Sequence, residues 1–136
     1  HGSSVDDEVN PLVTGNFGWN PAPPYNESGV PMTDTTLFPE AIEAAWKSGS
    51  PTQAPSGATF LHGTQWKAWN GALVIAMLKA QHLKLLLFDS QGNVASEQRL
   101  LTDQGRLRAV QQAPDGSLYI TTDNGQNDRI IRLSAQ

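Results

Sequence analysis

The 136-residue chain contains no cysteine. That excludes a disulfide framework and thiolate metal sites, but it leaves the compartment open, because exported proteins also do without cysteine. Charge of one sign is scarce as well. Nine Lys and Arg stand against 13 Asp and Glu, a net charge of −4, which leaves no basic footprint for nucleic acid. Long apolar runs are missing: the longest, residues 72–78, falls far short of the ~18 residues that a membrane span needs. The chain opens His1-Gly2-Ser3-Ser4-Val5-Asp6-Asp7 without initiator methionine or visible signal peptide. It is therefore expected to be cut, processed or cloned from something longer.

What is present has two textures. Residues 1–56 hold most of the nine prolines, including Pro21, Pro23, Pro24, Pro31, Pro39, Pro51 and Pro55, interleaved with Gly, Asn and Ser. Proline fixes φ and lacks a ladder donor, so this region is expected to be loop with short extended pieces. Its one helical candidate is residues 39–47, where Pro39 suits a first turn and residues 40–45 are fair helix formers. The alternative there is a loop that places Trp46 on a core.

From residue 57 the pattern is that of an antiparallel sheet. Strands are expected at 58–61, 72–78, 82–89, 94–101, 106–110, 117–121 and 129–133, with turns at residues 90–93 and at Pro114-Asp115-Gly116. The continuous apolar run at 72–78 suits a strand covered on both faces. Residues 106–110 alternate polar and apolar, as a half-buried strand does. Strand and turn recur about every 10 residues without helices between them, the pattern of a sandwich, barrel or propeller. Two four-stranded units fit 57–136, which suggests blades.

Arg106 and Arg108 stand at i and i+2, so on a strand both guanidinium groups project from one face. A planar fork of donors can grip a carboxylate bidentately, which lysine cannot do; the plainer alternative is a solvated face paired with Asp or Glu. His62 and His82 are isolated, with no paired spacing for a metal. Trp19, Trp66 and Trp69 are expected to pack in the core or at blade edges. The cluster Asp6-Asp7-Glu8 is expected to be structural or surface, with a separate metal site as the alternative.

The order of motifs is more specific. Gly105-Arg106-Leu107-Arg108-Ala109-Val110, then residues 113–123 (APDGSLYITTD), then Arg129-Ile130-Ile131-Arg132-Leu133 resemble the closing segment of the glucose/sorbosone dehydrogenase family. Trp69-Asn70-Gly71-Ala72-Leu73-Val74 with Leu78-Lys79 and Leu83 is similar to that family's preceding blade. Residues 51–57, Gly2 with Asp6-Asp7-Glu8-Val9-Asn10, and Gly15-Asn16-Phe17-Gly18-Trp19 are similar to segments further upstream.

The resemblance implies an all-β fold, a partial β-propeller: a loop-rich segment, 1–56, from a preceding blade and its connections, and the last two blades, of about four antiparallel strands each, over 57–136. It implies the C-terminal portion of a sugar dehydrogenase that oxidises an aldose to its lactone, with pyrroloquinoline quinone (PQQ) as hydride acceptor and calcium as metal. Lys79, Arg106 and Arg108 would contact the quinone, and the backbone carbonyls of Gly2 and Ser3 would bind calcium. The family's catalytic base is a histidine in the first half of the propeller, so no catalytic residue is expected here and this chain alone is expected to be inactive. Ser3 replaces a proline, Ala109 stands where aspartate is common, and Ser50 stands where some relatives carry a tryptophan that stacks on the cofactor. Either Trp46 replaces that stack from a differently routed loop, or the stack is missing. The implied location is periplasmic or extracellular, and the implied partners are a sugar and the N-terminal half of the propeller or further copies of the chain. The alternative is a propeller-derived binding or interaction module without redox chemistry.

Overall fold

A computed structural model describes residues 1–20 and 30–135; Pro21, Pro23 and Pro24 lie outside the described residues. The chain divides into two compact units, His1–Gln53 and Ala54–Gln136.

In the first unit the only regular structure among the described residues is a two-stranded ladder, β1 (Glu8–Val9) against β2 (Trp46–Lys47), antiparallel. Loops make up the rest, as the proline content predicts. The helix expected at 39–47 does not form. Backbone donors that a helix would turn inward are taken elsewhere: Ile42 N–H donates to the Asn16 carbonyl at 2.8 Å and Ala45 N–H to the Val9 carbonyl at 2.9 Å. A short run of helix formers gains little from propensity alone, and these long-range bonds outweigh it. The segment instead sets Trp46 into a buried position, 7% exposed.

Side chains of this unit are tied down by polar groups. Asp7 is fully buried and accepts from the backbone N–H groups of Gly2 at 3.1 Å and Gln53 at 2.5 Å. Its own N–H donates to Ser48 Oγ at 2.9 Å. Glu8 accepts from Thr33 Oγ1 at 3.0 Å and from Asn10 Nδ2 at 3.2 Å. The acidic cluster is structural, as expected, and no group of three or more His, Cys, Asp or Glu among the described residues is placed to hold a metal ion.

The second unit is all antiparallel sheet, two blades of a partial β-propeller. The first blade has four strands in the order β3 (Pro55–Phe60), β4 (Leu73–Met77), β5 (His82–Phe88) and β6 (Val94–Leu100). The second has three, β7 (Leu107–Gln112), β8 (Leu118–Thr122) and β9 (Ile130–Leu133). The expected fourth strand of that blade is absent among the described residues, which leaves β9 as a sheet edge. Between β3 and β4 lies a 3-10 segment, Thr64–Trp69, broken at Lys67, whose φ is 51°.

The two blades share one core. Leu61, Ala72, Val74, Ala76, Leu83 and Leu85 of the first meet Leu107, Val110, Leu118 and Ile120 of the second. Trp66 and Trp69 pack against its rim, and Trp66 Nε1 donates to the Gly116 carbonyl at 3.1 Å. Trp19, in the first unit, is 46% exposed.

Both faces of β4 and β5 are covered, hence the unbroken apolar run. Val74 and Ala76 face the shared core, while Ile75 and Met77 are buried on the other side. That other side also takes His82 and Lys84, 3% and 1% exposed. Lys84 is paired with Glu97 of β6. His82 Nδ1–H donates to the Ala80 carbonyl at 2.9 Å, and its Nε2 is buried without a partner. Burial, followed by the charges of Lys84 and Arg99, holds its pKa below the ordinary 6.5.

Candidate functional site

Strand β7 carries Arg108, with Arg106 immediately before it, and its geometry differs from simple alternation. Leu107 pairs with Thr122 but Ala109 pairs with Thr121, so β7 holds one extra residue, a β-bulge at Arg108. The buried residues are therefore Leu107 and Val110, three apart, with Arg108 and Ala109 both exposed between them. A bulge bends its strand and re-aims the side chains around it.

The two guanidinium groups converge on one carboxylate. Arg108 Nη2 donates to Asp123 Oδ2 at 2.8 Å, and Arg106 Nη2 lies 3.5 Å from the same oxygen. Arg106 Nε donates to the Asp123 carbonyl at 3.0 Å, and Asp123 N–H returns a bond to the Arg106 carbonyl at 2.9 Å. The side chains of Arg106 and Arg108 remain 46% and 55% exposed. Two cations and one anion leave a net positive charge, with guanidinium N–H donors still facing solvent.

The loop after β8 builds this arrangement. Asn124 Oδ1 accepts from Arg106 N–H at 2.9 Å, and its Nδ2 donates to the Gln104 carbonyl at 3.1 Å. Gly105 has φ +77°, and a Cβ there would strike the Asn124 amide. Asp128 closes the loop by accepting from Asn124 N–H at 2.6 Å and Thr122 Oγ1 at 2.9 Å. These donors, the Asn124 amide first, hold the Asp128 carboxyl below its usual range.

Lys79 lies exposed in the four-residue turn joining β4 to β5. Its place relative to the arginines follows from the strands. Pro55, at the start of β3, pairs with Met77, at the end of β4. Strand β3 runs beside β7 in the same direction: a Cβ on Gly57 would come within 2.7 Å of the Ala109 Cα, and His62 N–H donates to Gln112 Oε1 at 2.8 Å. The Lys79 turn and the Arg106–Arg108 cluster thus share one end of the two sheets. Only glycine at position 57 allows the inner strands this approach. A shallow hollow of about 460 Å³, lined by Thr59, Phe60, His62, Gln111, Gln112 and Pro114, lies at the opposite end.

Gly2 and Ser3 belong to the first unit. A Cβ on Gly2 would run into the Val5 and Asp6 carbonyl oxygens, so main-chain oxygens crowd its Cα. Trp46, in β2, is buried at 7% exposure. His62 lines the hollow at the opposite end, and His82 is buried on the face of the first blade away from the shared core.

Asp123 and Asn124 are the residues that motif reading passed over. Asp123 stands in the sequence only as the last residue of the 113–123 motif, two residues past the expected strand 117–121. The signal available was a carboxylate at a strand end in the same sheet as two arginines. Ala109 offers the arginines no carboxylate, and Asp123, just past the end of β8, supplies one.

No helix among the described residues is long and apolar enough to cross a membrane. The chain is 32% identical over 141 residues to the aldose sugar dehydrogenase YliI of Escherichia coli (strain K12), covering 98% of this chain and 37% of that protein. It is 30% identical over 139 residues to an uncharacterized protein of Synechocystis sp. (strain ATCC 27184 / PCC 6803 / Kazusa), covering 99% of this chain and 33% of that one. The structure of the soluble aldose sugar dehydrogenase of Escherichia coli in its apo-form superposes with a TM-score of 0.79 at 28% identity, over all of this chain and 40% of that one. A glucose dehydrogenase superposes with a TM-score of 0.76 at 31% identity, over all of this chain and 39% of its own length. The chain spans about a third to two-fifths of the length of these relatives. Residues 1–132 match the glucose/sorbosone dehydrogenase family, and the chain belongs to it.

Proposed function

We propose that the protein containing this chain is a PQQ-dependent dehydrogenase that oxidises an aldose to its lactone, and that this chain forms part of its cofactor grip. The observation that supports the reading most directly is the shared sheet end: Lys79 in one blade, Arg106 and Arg108 in the next. The arginine pair keeps a net positive charge after Asp123 is counted. A planar ligand with several carboxylates suits two guanidinium forks and one lysine point charge. Arg106 and Arg108 would hold carboxylate or quinone oxygens, and Lys79 would stabilise negative charge that grows as the sugar is oxidised. The bound quinone would supply the hydride acceptor. Calcium would take hard oxygen ligands, and the main-chain carbonyls of Gly2 and Ser3 are the donors this chain offers it.

The base that removes the hydroxyl proton of the sugar lies outside this chain, as do the remaining contacts and the sheets that complete the propeller. The same reading puts the protein in the periplasm or outside the cell and makes this chain inactive by itself. The test is to titrate the full-length protein with PQQ and calcium, then to assay dye-linked oxidation of a panel of aldoses. Saturable binding with turnover is expected, and Lys79→Ala, Arg106→Ala and Arg108→Ala each weaken quinone binding. If the quinone does not bind with calcium present, the cofactor assignment fails and the non-catalytic binding module replaces it.

A further inference from the structure

We infer that Asp123 is a positioning residue for the Arg106–Arg108 pair: it fixes the direction of both guanidinium forks and sets how much anionic charge they accept. The inference rests on the reading of that pair as the quinone grip.

Three observations converge on it. Asp123 Oδ2 is the shared neighbour of both guanidinium groups, at 2.8 and 3.5 Å. The aspartate backbone is itself locked to Arg106 by two further bonds, one in each direction, at 3.0 and 2.9 Å. The carboxylate comes from the end of β8, across the bulge, at the place where β7 cannot supply one because Ala109 follows Arg108. A guanidinium on a flexible stem loses much rotamer freedom when it grips a ligand, and a fork held in advance loses less. Asp123 is therefore a built-in counter-ion that orders the pair before any ligand arrives. It also cancels one of the two positive charges, so the cluster is matched to a single carboxylate group rather than to a more highly charged anion.

Charge and shape separate under substitution. Asp123→Ala removes both the counter-ion and the alignment, and is expected to weaken PQQ binding about tenfold or more, the scale of a lost preorganised charge-assisted contact. Asp123→Glu, which keeps the charge on a longer stem, recovers part of that loss. Asp123→Asn keeps an acceptor oxygen but leaves two uncompensated cations, so its affinity depends more steeply on salt than that of the wild type.

The experiment is a titration of the full-length protein with PQQ at two salt concentrations, for the wild type, these three variants, Arg108→Gln, and the double variant Arg108→Gln with Asp123→Ala. A merely structural aspartate would weaken binding equally whether or not Arg108 is present. The inference expects the Asp123→Ala loss to shrink in the Arg108→Gln background. Wild-type binding that Asp123→Ala leaves unchanged, or losses that add in the double variant, overturns this inference alone. Failure of the wild type to bind the quinone overturns the cofactor reading, and this inference with it. If Asp123→Ala does not fold, the Asn variant decides: an unchanged salt dependence sinks the idea.

Discussion

The two units of the chain are held together by different physics. In Ala54–Gln136, ten buried apolar residues from two sheets form one continuous core. In His1–Gln53, a two-residue ladder and a set of polar staples do most of the work, with Asp7 at their centre. Burying a leucine side chain stabilises by about 1.5–3 kcal/mol and does not depend on direction. A staple contributes about 1 kcal/mol net, but losing it strands buried donors. The sheet unit should therefore suffer most from lost volume, and the loop unit most from lost polar partners.

The sharpest way to break that contrast is in the shared core. Leu107 is fully buried between the blades, and Leu107→Ala is expected to cost about 2–5 kcal/mol, the range for a leucine truncated in a close-packed interior. Chemical denaturation measures it, and a cost near zero would mean that the blades are not packed as described. Next in size is the ion pair on the other face of the first blade. Glu97→Gln leaves the Lys84 ammonium buried without its carboxylate, at a cost of about 3 kcal/mol or somewhat less, since Glu97 is partly exposed. Lys84→Met, which removes the charge and keeps the volume, should be close to neutral in the same assay.

In the loop unit, Asp7→Ala removes the acceptor of the Gly2 and Gln53 N–H groups. About 1–3 kcal/mol is expected, seen as faster amide exchange at those two residues while β4 and β5 stay protected. The smallest effect is a tilt with pH. The pKa of His82 is depressed in the folded chain, so the unfolded chain takes up a proton first as pH falls below about 6.5. Its stabilising contribution is therefore present above that value and is lost on the way down to the folded pKa. Melting temperatures measured from pH 7.5 downward should fall less steeply in His82→Gln than in the wild type. Equal slopes would place the acid sensitivity elsewhere.

All seven strands of the sheet unit stood where the sequence pattern predicts them, within about three residues at each end. Apolar alternation and turn residues are strong local signals, and the tertiary structure agrees with them. The segment 39–47 failed because its backbone donors are claimed by Asn16 and Val9, more than twenty residues away in sequence. No local rule registers that competition. β1 and β2, two residues each, are too short to carry a period. The arginine pair was legible as a cationic strand face, but its counter-ion was not, since pairing of Arg108 with Asp123 depends on the register of β7 against β8. The doubled exposed position at Arg108–Ala109 was hidden too, because a bulge breaks the alternation from which faces are read.

That bulge gives the chain an unusual place for insertion or deletion. Removing Ala109 would leave Leu107 and Val110 two positions apart, so both could keep their buried sites on a regular strand. The arginines would lose the bend that aims them at Asp123, while the core would see almost no change in volume. In lineages that share this fold, a lost codon at this point would separate the scaffold from its cationic cluster more cleanly than most point substitutions. Divergence of ligand preference could then proceed by a change in chain length, with little penalty in folding.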